Sequence, residues 1–270
     1  MSFVELPGAQ IYYETAGGGH PVVFMHGGCL DNRMWDWQVE TVSRGYTVIR
    51  FDFRGHGRSE APQTGYSRAH YVEELRGLMG HLGIQRPSLV GHSMGGSVAL
   101  EYVATYPDAV TTLTLVDAGL AGFGVQSESF QRKVEDRRRM LLKEGVSARF
   151  IRAVLGSPLY TGVRRMPKVK ALVSDMLSSW SGLNWLEERD DRGQTQEHLL
   201  KQVRVPTLAL VGEDDTPRFH EIADLFSREI TVVRKQLIPV AGHMAPMENP
   251  DAFDDMLVDF LGGAVGKALI

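Results

Sequence analysis

Short apolar runs alternate with amphipathic stretches along most of this chain. Phe3 to Leu6 and Gln10 to Tyr13 are patterned as strands around the turn pair Pro7-Gly8, which predicts an opening hairpin. Pro21 to Met25, Tyr46 to Phe51, Pro87 to Val90, Val110 to Val116, Thr207 to Val211 and Thr231 to Ile238 follow as further strands. Most are apolar nearly throughout, which suits a sheet covered on both faces. Helical periods lie between them. Tyr71/Val72, Leu75, Leu78/Met79 and Leu82 recur every three or four residues, with Gly83 as the stop. Gly95 to Tyr106 is closed by Pro107, and Pro250 to Leu261 puts Phe253, Met256, Leu257 and Phe260 on one face. Such alternation predicts a mostly parallel α/β sheet of about eight strands flanked by helices.

The rhythm breaks once. From Ala118 to Arg204 helical segments occur without a convincing strand: Phe130 to Lys143, Ala148 to Leu155 and Val169 to Trp180. The chain is therefore read as a core of residues 1–117 and 205–270 carrying a helical cap insertion, 118–204.

Composition narrows the function classes. The 270 residues are 43% hydrophobic and 23% charged, ordinary for a soluble globular protein with a large core. A net charge of −4 argues against a general nucleic-acid binder. The basic cluster Arg137-Arg138-Arg139 is interleaved with Glu135, Asp136 and Glu144, and is read as a solvated helix face. Cys29 is the single cysteine, so a disulfide-framed scaffold is excluded. No uninterrupted apolar run reaches the ~18 residues of a membrane span, and the N-terminus lacks a signal-peptide pattern. The cytoplasm is the expected address, with no membrane and no nucleic acid among the expected partners.

The sharpest local signal is Gly91-His92-Ser93-Met94-Gly95-Gly96, after a strand and at the start of a helix. That is the setting a G-x-S-x-G nucleophile elbow requires. A serine on so tight a turn needs a strained backbone and neighbours without a Cβ, and Gly91 and Gly95 meet that need. Serine also needs a general base, oriented by a third group. His243, in Val240-Ala241-Gly242-His243-Met244, lies between the last strand and the last helix.

With these residues the chain resembles the α/β-hydrolase family over almost its whole length. The resemblance rests on His26-Gly27-Gly28, on Asp52-Phe53-Arg54-Gly55-His56-Gly57-Arg58-Ser59, on the elbow, and on the loops around Asp215 and His243. It implies Ser93 as nucleophile and His243 as catalytic base. Three carboxylates compete for the acid. The family places it three residues after a glycine, which in Gly212-Glu213-Asp214-Asp215 selects Asp215 over Asp214. Asp117, at the end of the preceding strand, is the position some relatives use instead. The implied oxyanion donors are the backbone N–H groups of Met94 and of Gly28, with the neighbouring Cys29 as the alternative to Gly28. His26 is read as structural, and Asp52 as organising the loop beside the site.

Cys29, Arg33, Trp35, Phe123, Trp180 and Trp185 are the candidate substrate contacts. No metal and no organic cofactor is implied, since no Cys/His cluster has zinc spacing. A serine nucleophile argues against a haloalkane dehalogenase or an epoxide hydrolase. The loops are similar to those of carboxylesterases and enol-lactonases, so hydrolysis of a small-molecule ester or lactone is expected. Carbon–carbon cleavage of a diketone-like acid, or a non-turnover receptor on the same fold, are the alternatives.

Overall fold

A computed structural model of the chain describes residues 2–124, 128–187 and 194–268. Eight strands form one sheet: β1 (Ser2–Leu6), β2 (Ala9–Gly17), β3 (Pro21–Met25), β4 (Thr47–Phe51), β5 (Ser88–His92), β6 (Thr112–Val116), β7 (Thr207–Gly212) and β8 (Val233–Ile238). Their spatial order is β1-β2-β4-β3-β5-β6-β7-β8. β2 runs antiparallel to both its neighbours, and the other pairings are parallel. The helices are α1 (Asp36–Val42), α2 (Arg68–His81), α3 (Met94–Thr105), α4 (Glu128–Glu144), α5 (Ala148–Leu155), α6 (Pro167–Ser179), α7 (Leu183–Leu186), α8 (Pro217–Glu229), α9 (Ala245–Glu248) and α10 (Pro250–Ala268).

The continuous apolar strands have a direct cause. Alternate residues of one strand feed two different cores. Val22 and Phe24 of β3 enter one cluster, and Val23 and Met25 enter the other. In β7, Leu208 and Leu210 face one side and Ala209 faces the other. The first cluster is completed by Trp35, Phe253, Leu257 and Leu261, and the second by Leu75, Leu78, Val98 and Phe226.

The predicted strands and the three predicted core helices are present, and the differences concern weak apolar stripes. α1 was not predicted, because only Gln38 and Val42 of its seven residues are buried. α8 was not predicted either; its buried face is just Ile222, Ala223 and Phe226 among charged neighbours. α10 runs past the expected end at Leu261, through Gly262-Gly263, because Val265 is buried against the first cluster.

Between β6 and β7 the described residues form helices and no strand. Phe150, Val154, Val173, Met176, Leu177 and Trp180 of this stretch join the first core cluster. Its packing is therefore continuous with the sheet's. Among the described residues, no helix is long and apolar enough to cross a membrane.

Candidate active site

The strand ends of β5, β6 and β7 meet at one point. β5 runs through Gly91 and His92, and α3 begins at Met94, leaving Ser93 alone to make the turn at φ 49°, ψ −108°. This conformation costs about 1–3 kcal/mol for a residue with a side chain. Ser93 is held there from both ends. Its N–H donates to Val116 O at 3.0 Å, and its carbonyl accepts from Ser97 N–H at 3.1 Å and Gly119 N–H at 3.0 Å. The flanking glycines are steric requirements. A Cβ on Gly91 would lie 2.5 Å from Gly95 O, and one on Gly95 would lie 2.5 Å from Met25 O.

His243 reaches the serine from the loop after β8. Its Nε2 is 3.2 Å from Ser93 Oγ, and its Nδ1 is 2.8 Å from Asp215 Oδ2. Asp215 is 8% exposed and His243 3%. The Asp215 carboxylate therefore accepts the Nδ1 proton, which leaves Nε2 as an acceptor for the serine hydroxyl. Asp215 Oδ1 is fixed in turn by Thr216 N–H at 2.6 Å. Asp214, the neighbour that competed with it in sequence, is exposed and does not reach the imidazole.

Asp117 is closer to the centre than its place in the chain suggested. It is 1% exposed and lies at φ 43°. Its Oδ1 accepts the Gly212 N–H at 2.7 Å. Burial, with the Asp215 carboxylate beside it, pushes its pKa well up, which favours the protonated form. Asp117, Asp215 and His243 each offer a ligand atom within 4.8 Å of the others. Two ligands on one tetrahedral zinc stand about 3.3 Å apart at ordinary bond lengths. The 2.8 Å separation of His243 and Asp215 is a hydrogen bond, so these two ligand atoms are spent on each other, while Asp117 Oδ1 holds Gly212 N–H.

The His243 loop has two further supports. His92 Nε2–H donates to the His243 carbonyl at 2.7 Å. Burial, with His243 nearby, pushes the His92 pKa down to about 3, so this ring is neutral. Glu248 accepts the N–H groups on either side of His243, Gly242 at 2.8 Å and Met244 at 3.2 Å. The Phe219 ring covers the imidazole, centroid to centroid 4.1 Å. Sequence reading singled out none of these three as supports. The signal for Glu248 was present, as a carboxylate five residues after His243 at the end of the same loop.

His26 has the structural role expected of it. Its Nδ1–H donates to Gly27 O at 2.8 Å and its Nε2 accepts Phe53 N–H at 3.0 Å, while burial lowers its pKa to about 4. Asp52 accepts from the N–H and side chain of Asn32 and from Arg58 N–H, tying the loop after β3 to the loop after β4. Burial, together with the nearby Asp31, pushes the Asp52 carboxyl up to about 6.

Above Ser93 lies a cavity of about 440 Å³. Gly28, Met94 and His243 line it beside Ser93. The Met94 amide is the first of α3 and has no partner inside that helix. Gly28 packs against Met94, and an ideal Cβ on Gly28 would lie 3.9 Å from Met94 Cβ. The backbones of Gly28 and Met94 thus lie side by side at the cavity floor next to the serine.

Of the proposed substrate contacts, Cys29 and Trp185 line this cavity. Cys29 is 3% exposed, and burial pushes its thiol pKa up, so it is an inert wall residue. Four expectations are corrected. Trp35 is fully buried between Phe24 and Phe253, and Trp180 packs on Phe150 and Trp185 in the first core cluster. Arg33 lies outside the cavity, ion-paired with Asp31 at 2.7 Å and with Asp175. Phe123 does not line the cavity but supports Arg218, whose guanidinium lies 5.6 Å from the ring centroid. In each case the residue type suited a pocket and the packing used it elsewhere. The basic cluster is also corrected in part. Arg137 lines the cavity, whereas Arg139 pairs with Glu135 on an exposed face.

Comparison with known proteins agrees with this geometry. Residues 22–256 match the model of the Alpha/beta hydrolase family. A non-heme haloperoxidase of Rhodococcus erythropolis is 28% identical over 273 residues, covering 94% of this chain and 96% of that protein. A bifunctional esterase/perhydrolase of Acinetobacter calcoaceticus is 29% identical over 277 residues, again covering 94% and 96%. The crystal structure of the enol-lactonase from Burkholderia xenovorans LB400 superposes with a TM-score of 0.83 at 25% identity, covering 97% of this chain and 100% of that one. A strained serine between β5 and α3, faced by a histidine–carboxylate pair on an eight-stranded sheet, and a family match spanning nearly the whole chain lead to one conclusion: this protein belongs to the alpha/beta hydrolase family.

Proposed function

We propose that the protein is a cofactor-independent serine hydrolase that cleaves a carboxylic ester or lactone of a small molecule through a covalent acyl-enzyme. The observation that carries this reading is the hydrogen-bonded line from Asp215 through His243 to Ser93, at 2.8 and 3.2 Å. Ser93 Oγ attacks the substrate carbonyl carbon as its proton passes to His243 Nε2. The oxyanion formed is met by the N–H groups of Gly28 and Met94, where loss of a single donor typically costs about 10²–10³ in rate. The leaving alcohol takes the proton back from Nε2. Water then gives a proton to Nε2 and attacks the acyl carbon; as the C–Oγ bond breaks, Nε2 returns that proton to Ser93 Oγ and the carboxylic product leaves. Asp215 holds the Nδ1–H tautomer and stabilises the imidazolium.

In this reading residues 118–204 act as a cap. Their Val134, Val154, Leu159 and Trp185 form apolar walls of the cavity, whose volume suits a small molecule. The likeness to an esterase/perhydrolase and to an enol-lactonase supports acyl chemistry on an ester or a lactone. The absence of a long apolar helix among the described residues is compatible with a cytoplasmic enzyme.

The test is turnover of p-nitrophenyl esters of graded acyl length, with wild type against Ser93→Ala. The expected result is wild-type turnover with a loss of at least about 10³-fold in kcat for the variant. A folded wild type without turnover on esters and lactones, or a Ser93→Ala protein that keeps its rate, would overturn the reading.

A further inference from the structure

Three arginines, Arg68, Arg137 and Arg218, line the cavity above Ser93, and among the described residues no aspartate or glutamate does. That is an unusual balance in a chain with a net charge of −4. The three are not equivalent. Arg68 is held by Glu101, Nε to Oε2 2.8 Å. Arg218 lies over the Phe123 ring. Arg137, from α4, is half-buried. Its hydrogen bond among the described residues is a long one, Nη2 to the Ala153 carbonyl at 3.3 Å, and no carboxylate among those residues pairs with it. Its positive charge reaches into the cavity, where it favours the ionised forms of Cys29 and Tyr160. Cys29 follows Gly28 in the chain, so this charge stands on the side of the oxyanion loop.

A guanidinium without a carboxylate, partly removed from water, gains most from an anion that brings two parallel acceptors. Leu120, Val134, Val154 and Leu159 form much of the surrounding wall. Such a wall penalises a dianion more heavily than a singly charged carboxylate, because the desolvation cost grows with charge.

We infer that the substrate is an ester or lactone carrying a free carboxylate, and that Arg137 is the residue that receives this carboxylate while Ser93 attacks the acyl carbon. The inference rests on the hydrolase reading for its chemistry and on the arginine-lined cavity for its charge. Arg137 is thus a specificity-determining residue, and Arg68 and Arg218 add a positive field without forming the direct pair.

The experiment compares matched probes that differ only in charge. On the acyl side these are 4-nitrophenyl hydrogen glutarate and its neutral methyl ester; on the alcohol side, 4-acetoxybenzoate and its methyl ester. The expected wild-type ratio of kcat/KM, charged over neutral, is roughly tenfold to a hundredfold in at least one pair, as charge-assisted bonds of this kind provide. Arg137→Met should bring that ratio to about one, and Arg137→Lys should restore it in part, since the charge returns without the fork. The same probes are titrated calorimetrically into Ser93→Ala protein, with and without Arg137→Met, so that binding is read apart from turnover. Selective binding of the charged probe without wild-type turnover of any ester would sink the hydrolase reading and leave the Arg137 assignment standing. Turnover and binding that are equal for charged and neutral probes, or a ratio untouched by Arg137→Met, would overturn the assignment and leave the hydrolase reading intact.

Discussion

Glu248→Gln tests how the protein positions its imidazole. One carboxylate accepts the peptide N–H groups on both sides of His243, Gly242 at 2.8 Å and Met244 at 3.2 Å. Glutamine has the same shape but a single acceptor oxygen, so its NH2 group must face one of these N–H groups. A hydrogen bond to a charged acceptor contributes about 1.5–3 kcal/mol, and the half-burial of Glu248 places the loss near the lower end, at roughly 2 kcal/mol. At about 2–4 °C per kcal/mol, the melting temperature should fall by roughly 4–8 °C. The displaced loop carries His243, the proposed base, and misplacement on the ångström scale can cost up to about 10²-fold in rate. A fall in kcat of roughly tenfold or more on p-nitrophenyl acetate is therefore expected. Glu213→Gln is the control. Glu213 accepts Val240 N–H at 3.2 Å at the exposed end of the same loop, and its loss should cost under ~1 kcal/mol with little effect on rate. Scanning calorimetry and steady-state kinetics on both variants decide the matter. A Glu248→Gln protein within about 1 °C and twofold of wild type, or equal losses in both variants, would refute the reasoning.

The two buried carboxylates should separate cleanly. Asp215→Asn disturbs the acceptor of the Nδ1 proton and is expected to lower kcat by about 10³–10⁴, the scale of such a change in a Ser-His-Asp site. Asp117→Asn replaces a carboxyl whose neutral form burial and Asp215 favour, so it should stay within about threefold in kcat; a collapse of activity would show that Asp117 acts as a carboxylate. His92 predicts a pH-dependent stability difference. Its folded pKa of about 3 lies below the ordinary histidine value of about 6.5. The associated stability is present above pH ~6.5 and is lost as pH falls toward 3. Relative to His92→Gln, wild type should therefore lose about 2 kcal/mol between pH 7.5 and 5.0 in urea titrations, and parallel curves would contradict this. Gly95→Ala puts a methyl 2.5 Å from Met25 O and 2.7 Å from His26 O. It should destabilise by about 3 kcal/mol or prevent folding, and an equal urea midpoint would show that the elbow can relax.

Much of the site was legible along the chain, because its parts are governed by local rules. A serine forced into a positive-φ turn between a strand and a helix needs glycines two residues away on each side, and that need is written into six consecutive residues. The strands were legible for a similar reason: β3 and β7 are buried on both faces, so nearly every position is apolar. Asp215 over Asp214 was readable only through family spacing, and geometry supplies the physical ground, since Asp214 is exposed while Asp215 faces the imidazole. What the chain could not reveal was the use of residues whose role depends on distant partners. Trp35 and Trp180 have the chemistry of pocket walls, but core packing claimed both. Arg33 was free to meet a substrate until Asp175, far along the chain, paired with it. Arg137 sits in a charged run that reads as solvated, and only the docking of α4 against α5 and α7 turns it into the cavity. Local backbone strain and strand burial leave a pattern in sequence; the destination of a long side chain is set by tertiary packing, which brings together residues with no local constraint between them.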